Sequence, residues 1–155
     1  MALHRASRGF TLIEMMVVVA VTAVLLTVVV GSFTDQLARR RLEGAATELS
    51  TDLQFARAQA VSNNASAALA TNSTGTQYSI TSGATTYKTV ALGSQLSLTP
   101  STTITYDQLR AMASASAVIT VASTKTTGQL QIAVSPMGRV SICSPSGGLK
   151  GYSPC

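Results

Sequence analysis

Tryptophan is absent from this chain of 155 residues, phenylalanine occurs three times, tyrosine four times, and the only histidine is His4. So few aromatics argue against a large enzyme core, and a lone histidine at the start of the chain removes the commonest general base. Acidic residues are equally scarce: there are six, and Asp107 is the sole one beyond residue 64. Paired carboxylates, a nucleophile with its base, or a cluster of metal ligands cannot be assembled from that set. No catalytic residue, metal or cofactor is therefore expected, and the abundant serines and threonines, lacking a base, read as β-surface residues.

What the chain does have is one long apolar run. Met15 to Val30 carries no charge and only two threonines, Thr22 and Thr27. Taken from Phe10 to Phe33, the segment has about the length that a helix rising about 1.5 Å per residue needs to cross a bilayer core. Glu14 interrupts it, and an unpaired charge there would cost on the order of 3 kcal/mol. Arg5 and Arg8 lie upstream and could snorkel toward it; alternatively, Glu14 meets a positive charge on another subunit. A secretory signal would be cut behind its apolar core, where Val29-Val30-Gly31 has suitable residues, but a glutamate at the front of the core argues against that reading.

Gly9-Phe10-Thr11-Leu12-Ile13-Glu14, behind a short basic leader and ahead of an apolar helix, closely resembles the class III signal of type IV prepilins and type II secretion pseudopilins. The resemblance implies that prepilin peptidase removes residues 1–9 by cutting between Gly9 and Phe10, and that the new Phe10 amine is methylated. Glu14 would then pair with the Phe10 amine of a neighbouring subunit during filament assembly. Loop charge alone is ambiguous about topology, because Arg5 and Arg8 precede the run and Arg39 to Arg41 follow it. The signal implies a single-pass inner-membrane prepilin with a periplasmic C-terminal part, later moved into a cell-surface pilus or a periplasmic pseudopilus.

Beyond Phe33 the apolar residues keep helical spacing through Leu37, Leu42, Ala45, Ala46, Leu49, Leu53, Ala56 and Ala60, while Arg39, Glu43, Glu48, Asp52 and Arg57 tend to fall on other faces. The spacing predicts one helix from about Thr11 to about Val61, interrupted by nothing stronger than Gly31 and Gly44, each costing about 1 kcal/mol relative to alanine. An amphipathic stretch beyond the span can bury its stripe only against a domain built from later residues. Those later residues read as short strands: an extended run at Ala65 to Ala70, a hairpin of Gln77 to Thr81 with Thr85 to Val90, then alternation at Leu96 and Leu98 and at Ile104 and Tyr106. Asp107 to Ala115 is either a short helix or a long loop. Ala117 to Ala122, Gln129 to Ser135 and Arg139 to Cys143 follow as strands, with a tight turn at Pro136-Met137-Gly138.

Two stretches of this second half extend the resemblance. Leu53-Gln54-Phe55-Ala56-Arg57-Ala58-Gln59-Ala60-Val61-Ser62-Asn63-Asn64 is similar to the Leu-x-x-Ala-Arg-x-x-Ala-x-x-x-Asn pattern of the GspH/FimT/FimU group of minor pilins and pseudopilins. Ser135 to Cys143 resembles the Gly-Arg strand of that group, which ends in cysteine. The implied architecture is α+β, a pilin fold. Residues 1–9 are the leader, 10–33 the transmembrane half of the helix, 34–64 its amphipathic half, and 65–155 a β-rich head with a small antiparallel sheet. In an oxidising periplasm Cys143 and Cys155 read as a disulfide closing a Gly-, Pro- and Ser-rich tail, worth roughly 2 to 3 kcal/mol.

The implied function is that of a minor type IV pilin near the pilus tip, aiding assembly with other pilins. The alternatives are an H-type pseudopilin of type II secretion and a pilus-associated DNA-binding subunit for natural transformation. Some members bind DNA through a Gly-Arg-x-Arg motif. Gly138 and Arg139 match it, the second arginine position is Ser141, and Lys125 and Lys150 are the cations that could compensate. No dense Lys/Arg patch is visible along the chain, and its net charge of +5 reads mainly as a solvated surface.

Overall fold

The computed structural model describes residues 9–145 and 148–155, and the side chains of all of these but 27–32. One helix, α1, runs from Leu12 to Ser62, within a residue of the expected bounds, and passes through both Gly31 and Gly44. Thr11 begins it, because the Thr11 carbonyl and hydroxyl accept the Glu14 backbone N–H at 3.1 and 3.4 Å. Thr-x-x-Glu is the spacing of a capping box, and a carboxylate in the first turn also suits the positive end of the helix. The helix stops at Asn63-Asn64, where Asn64 takes a left-handed φ of 50°, a conformation that asparagine tolerates better than most residues.

The chain divides into two compact units, Met1–Gln36 and Leu37–Cys155. In the first, every large apolar side chain described from Phe10 to Leu26 is more than half exposed, with Val18 lowest at 51%. Among the described residues no helix is long and apolar enough to cross a membrane. The expected span, 10–33, includes 27–32, whose side chains lie outside the described ones.

In the second unit the strands are β1 (Ala67–Thr71), β2 (Gln77–Ser82), β3 (Thr85–Ala91), β4 (Leu96–Thr99), β5 (Thr103–Tyr106), β6 (Ala117–Ser123), β7 (Thr126–Val134) and β8 (Val140–Cys143). They form two antiparallel four-stranded sheets, ordered β3-β2-β1-β5 and β4-β6-β7-β8. That division is not visible in the sequence, which marks β2 and β3 as a hairpin but does not say which of the other strands share a sheet. Alternation does its usual work: β1 and β7 bury every second residue. Leu69, Ile80 and Ile104 from one sheet and Ile119, Leu130 and Ile132 from the other join Leu42, Ala46, Leu49, Leu53, Ala56 and Ala60 of α1 in a single core. Each fully buried aliphatic side chain contributes about 1.5–3 kcal/mol.

Two expectations change here, at Leu37 and Asp52, and the choice between short helix and loop at Asp107 to Ala115 is decided. Leu37 is 40% exposed and the neighbouring Ala38 is buried in its stead, a shift of about 100° around the helix. Asp107 to Ala115 is a loop closed on itself, with the Asp107 carboxylate accepting the Leu109 and Arg110 backbone N–H groups. Asp52, expected on an outer face, is buried.

Candidate functional site

Gly9 and Phe10 stand exposed just ahead of α1, and Glu14 is exposed in its first turn. The three residues that the prepilin resemblance singles out therefore lie on accessible chain. Thr11 caps the helix through its hydroxyl, which accepts the Glu14 backbone N–H, and the Thr-x-x-Glu spacing is compatible with that start.

Asp52 is the charged centre of the head. It sits on the margin of the apolar stripe, three residues after Leu49 and four before Ala56, so it turns inward where β2 and β3 cross the helix. The Tyr78 hydroxyl donates to its Oδ2 at 2.6 Å, and the Lys88 amine donates to Oδ2 at 2.7 Å and Oδ1 at 3.0 Å. Lys88 also reaches Glu48 Oε1 at 3.0 Å. Burial, and then the Asp52 hydrogen bond, push the Tyr78 phenol far above its ordinary range, and the bond to Asp52 raises the Lys88 amine. The carboxylate is fully engaged, so this is a clasp between helix and sheet, with no free group poised for proton transfer.

At the other end of the head-unit helix, two stretches that lie far apart in sequence meet. Arg57 Nε donates to the Ala111 carbonyl at 2.9 Å. Ala111 is held there with a φ of 52°, while the Ala113 N–H donates to the Pro136 carbonyl at 2.9 Å. Gly138, with φ +75°, closes the turn; a Cβ on it would lie 2.7 Å from the Ala111 oxygen and 3.0 Å from Arg57 Nε. Ala56-Arg57 and Gly138-Arg139 are thus one site, a groove lined by Gln54, Arg57, Val61, Ala111 and Arg139. Beneath it the Tyr106 hydroxyl is buried with no hydrogen-bond partner among the described residues, and burial pushes its phenol up to about 12 against the opposing pull of Arg57.

Lys125 and Lys150 do not join Arg139. Lys125 occupies the β6–β7 turn, where Ser123 pairs with Thr126, and Arg139 the turn after Val134. The nine-residue antiparallel β7 separates them by about 27 Å, eight steps of about 3.4 Å. Lys150 goes with Lys125, since the adjacent Leu149 packs on Gly128. Cys143 and Cys155 form a disulfide, with Cα atoms 5.0 Å apart. No group of three or more metal-ligating side chains occurs among the described residues.

Residues 4–30 match the prokaryotic N-terminal methylation motif, and residues 45–149 match the family described as type II transport protein GspH. No curated protein sequence matches significantly. Among solved structures, two crystal structures of the type IV minor pilin FimU of Pseudomonas aeruginosa align with TM-scores of 0.59 and 0.55. Both are 21% identical, covering 74% and 71% of this chain and 96% and 98% of theirs. The minor pseudopilin EpsH from the type 2 secretion system of Vibrio cholerae aligns with a TM-score of 0.56 at 9% identity, covering 68% of this chain and 98% of its own. At these identities the likeness is one of fold.

Proposed function

Because this chain belongs to the GspH family of type II transport proteins and carries the N-terminal methylation motif ahead of that domain, we propose that it is a minor type IV pilin, stored in the inner membrane and incorporated near the pilus tip. The observation that carries the reading is the exposed apolar stretch from Phe10 to Leu26, which begins directly after Gly9 and carries Glu14, exposed in the first turn of the same helix. An apolar face of that extent needs lipid or other helices to cover it, and a filament subunit uses each in turn. Prepilin peptidase cuts after Gly9, the span 10–33 holds the subunit with its head in the periplasm, and Glu14 takes up the Phe10 amine of a neighbour.

N-terminal sequencing of the filament-bound form checks the reading directly: the first residue is Phe10, and a start at Met1 or beyond Gly31 sinks it. Glu14→Leu leaves the cut intact and lowers incorporation about tenfold or more, as expected for losing a charged hydrogen-bonded pair worth about 1.5–3 kcal/mol. Immunoblots of sheared filaments against whole cells measure that ratio.

The family's own description, a type II transport protein, favours a second reading, an H-type pseudopilin. Deletion of the gene separates the two, since a pilin costs the cell its pili and a pseudopilin its secretion. DNA binding at Arg139 is a separate proposal, supported by Arg57 lining the same groove. Phosphate contacts there predict that duplex affinity falls steeply with salt and with Arg139→Ala; unchanged affinity in that variant rejects it.

A further inference from the structure

We propose that the opposite end of the head unit, carrying Arg40, Arg41, Lys125 and Lys150, is a docking surface for anionic phospholipid headgroups. Three distant parts of the sequence supply these cations, and the fold brings them to one end. Arg39 Nη2 donates to the Gly148 carbonyl at 2.9 Å, which ties the start of the head-unit helix to the disulfide loop and leaves Lys150, two residues on, exposed. Leu149 is 1% exposed and packs where a Cβ on Gly128 would come within 2.9 Å of it. The loop is therefore pinned beside the β6–β7 turn that carries exposed Lys125. Arg41 completes the set, lining a groove with Ala38, Gln95 and Ser123, while the Thr124 N–H donates to the Gln95 carbonyl at 2.9 Å. None of the four cations is in an ion pair among the described residues, whose salt bridges are those of Lys88. The acids beside these cations are Glu43 and Glu48, which line a groove with Arg40, Glu48 also lining one with Arg41; Lys88 offsets Glu48 through its ion pair.

Position selects a membrane over a nucleic acid. The inference rests on the reading of residues 10–33 as a span. Arg40 and Arg41 follow Phe33 by only seven and eight residues in the sequence, so chain connectivity alone keeps these cations close to the end of the span, and a bilayer is the anionic surface they meet first. Cations near an anionic bilayer surface each strengthen binding about fivefold, about 1 kcal/mol. Four of them would hold the head against the bilayer while the subunit is stored, and the contact would be released when the helix is drawn into a filament.

The test uses the full chain reconstituted into phosphatidylcholine vesicles and into vesicles containing phosphatidylglycerol. Flotation with neutral vesicles reports the span; a chain that does not float there refutes the span and not the patch. Trypsin added from outside then reads the patch through cleavage after Lys125. With phosphatidylglycerol at low salt, cleavage is expected to slow at least fivefold relative to phosphatidylcholine, and high salt or Lys150→Gln with Arg41→Gln removes the difference. Equal cleavage in both lipids, or protection unchanged in the double variant, overturns the proposal. Protection by added duplex DNA on neutral vesicles without any by phosphatidylglycerol assigns the surface to nucleic acid instead.

Discussion

Lys88→Met is expected to lower the stability of the head unit by about 3 kcal/mol, among the larger losses available to a single exchange. The Asp52 side chain is only 8% exposed, and methionine would leave its carboxylate with the Tyr78 hydroxyl alone. Removing one member of a buried pair strands the other's charge, at a cost of about 3–5 kcal/mol; the lower figure fits here because the Lys88 side chain is 38% exposed and water can follow it inward. Denaturant unfolding measures the loss. Replacing all three polar groups, Asp52→Leu with Tyr78→Phe and Lys88→Met, should recover most of it, since no charge is then left buried. A single variant as stable as the parent would show that Asp52 is hydrated in solution. The same clasp makes the head labile to alkali. Tyr78 and Lys88 both hold their protons more tightly in the fold than at their ordinary values of 10.0 and 10.5. The unfolded chain thus releases protons first, so stability is complete below about pH 10 and is lost as pH rises beyond it. Lys88→Met should flatten that decline.

Gly138→Val should cost a comparable amount, about 3 kcal/mol, by a different route. A φ of +75° penalises any L side chain by about 1–2 kcal/mol, and branching at Cβ makes the strain worse. The added Cβ would also press to 2.7 Å from the Ala111 oxygen and 3.0 Å from Arg57 Nε, so the Arg57–Ala111 hydrogen bond must open to make room. In a unit of this size the loss lowers the melting temperature by about 10 °C. Gly138→Ala should fall between parent and valine. If both variants melt with the parent, the turn relaxes freely and Gly138 is not the spacer described.

Local physics made much of this legible in advance. The helix bounds followed from spacing and from the Asn63-Asn64 stop, and the strands after β1 were announced by alternation or β-branched residues, because those signals depend on neighbours within a few positions; β1, an Ala-rich run, carries little of either. Asp52 escaped because a carboxylate on the margin of an apolar stripe looks solvated until Tyr78 and Lys88, 26 and 36 residues later, are placed over it. The joining of Ala56-Arg57 to Gly138-Arg139 escaped for the same reason: each motif was visible, but their meeting needs the loop that holds Ala111 between them.

The order of apolar helix, amphipathic helix and β-rich head along the chain was therefore determined by the sequence alone, since helical period and strand alternation are written in contiguous residues. Which cations share a surface was decided only by tertiary structure. Lys125 and Lys150 were candidates to support Arg139, yet β7 carries them about 27 Å away and the Arg39 and Leu149 contacts set them beside Arg41. Charge acts through space, and strand register and loop packing, which no local pattern specifies, set the distances over which it acts.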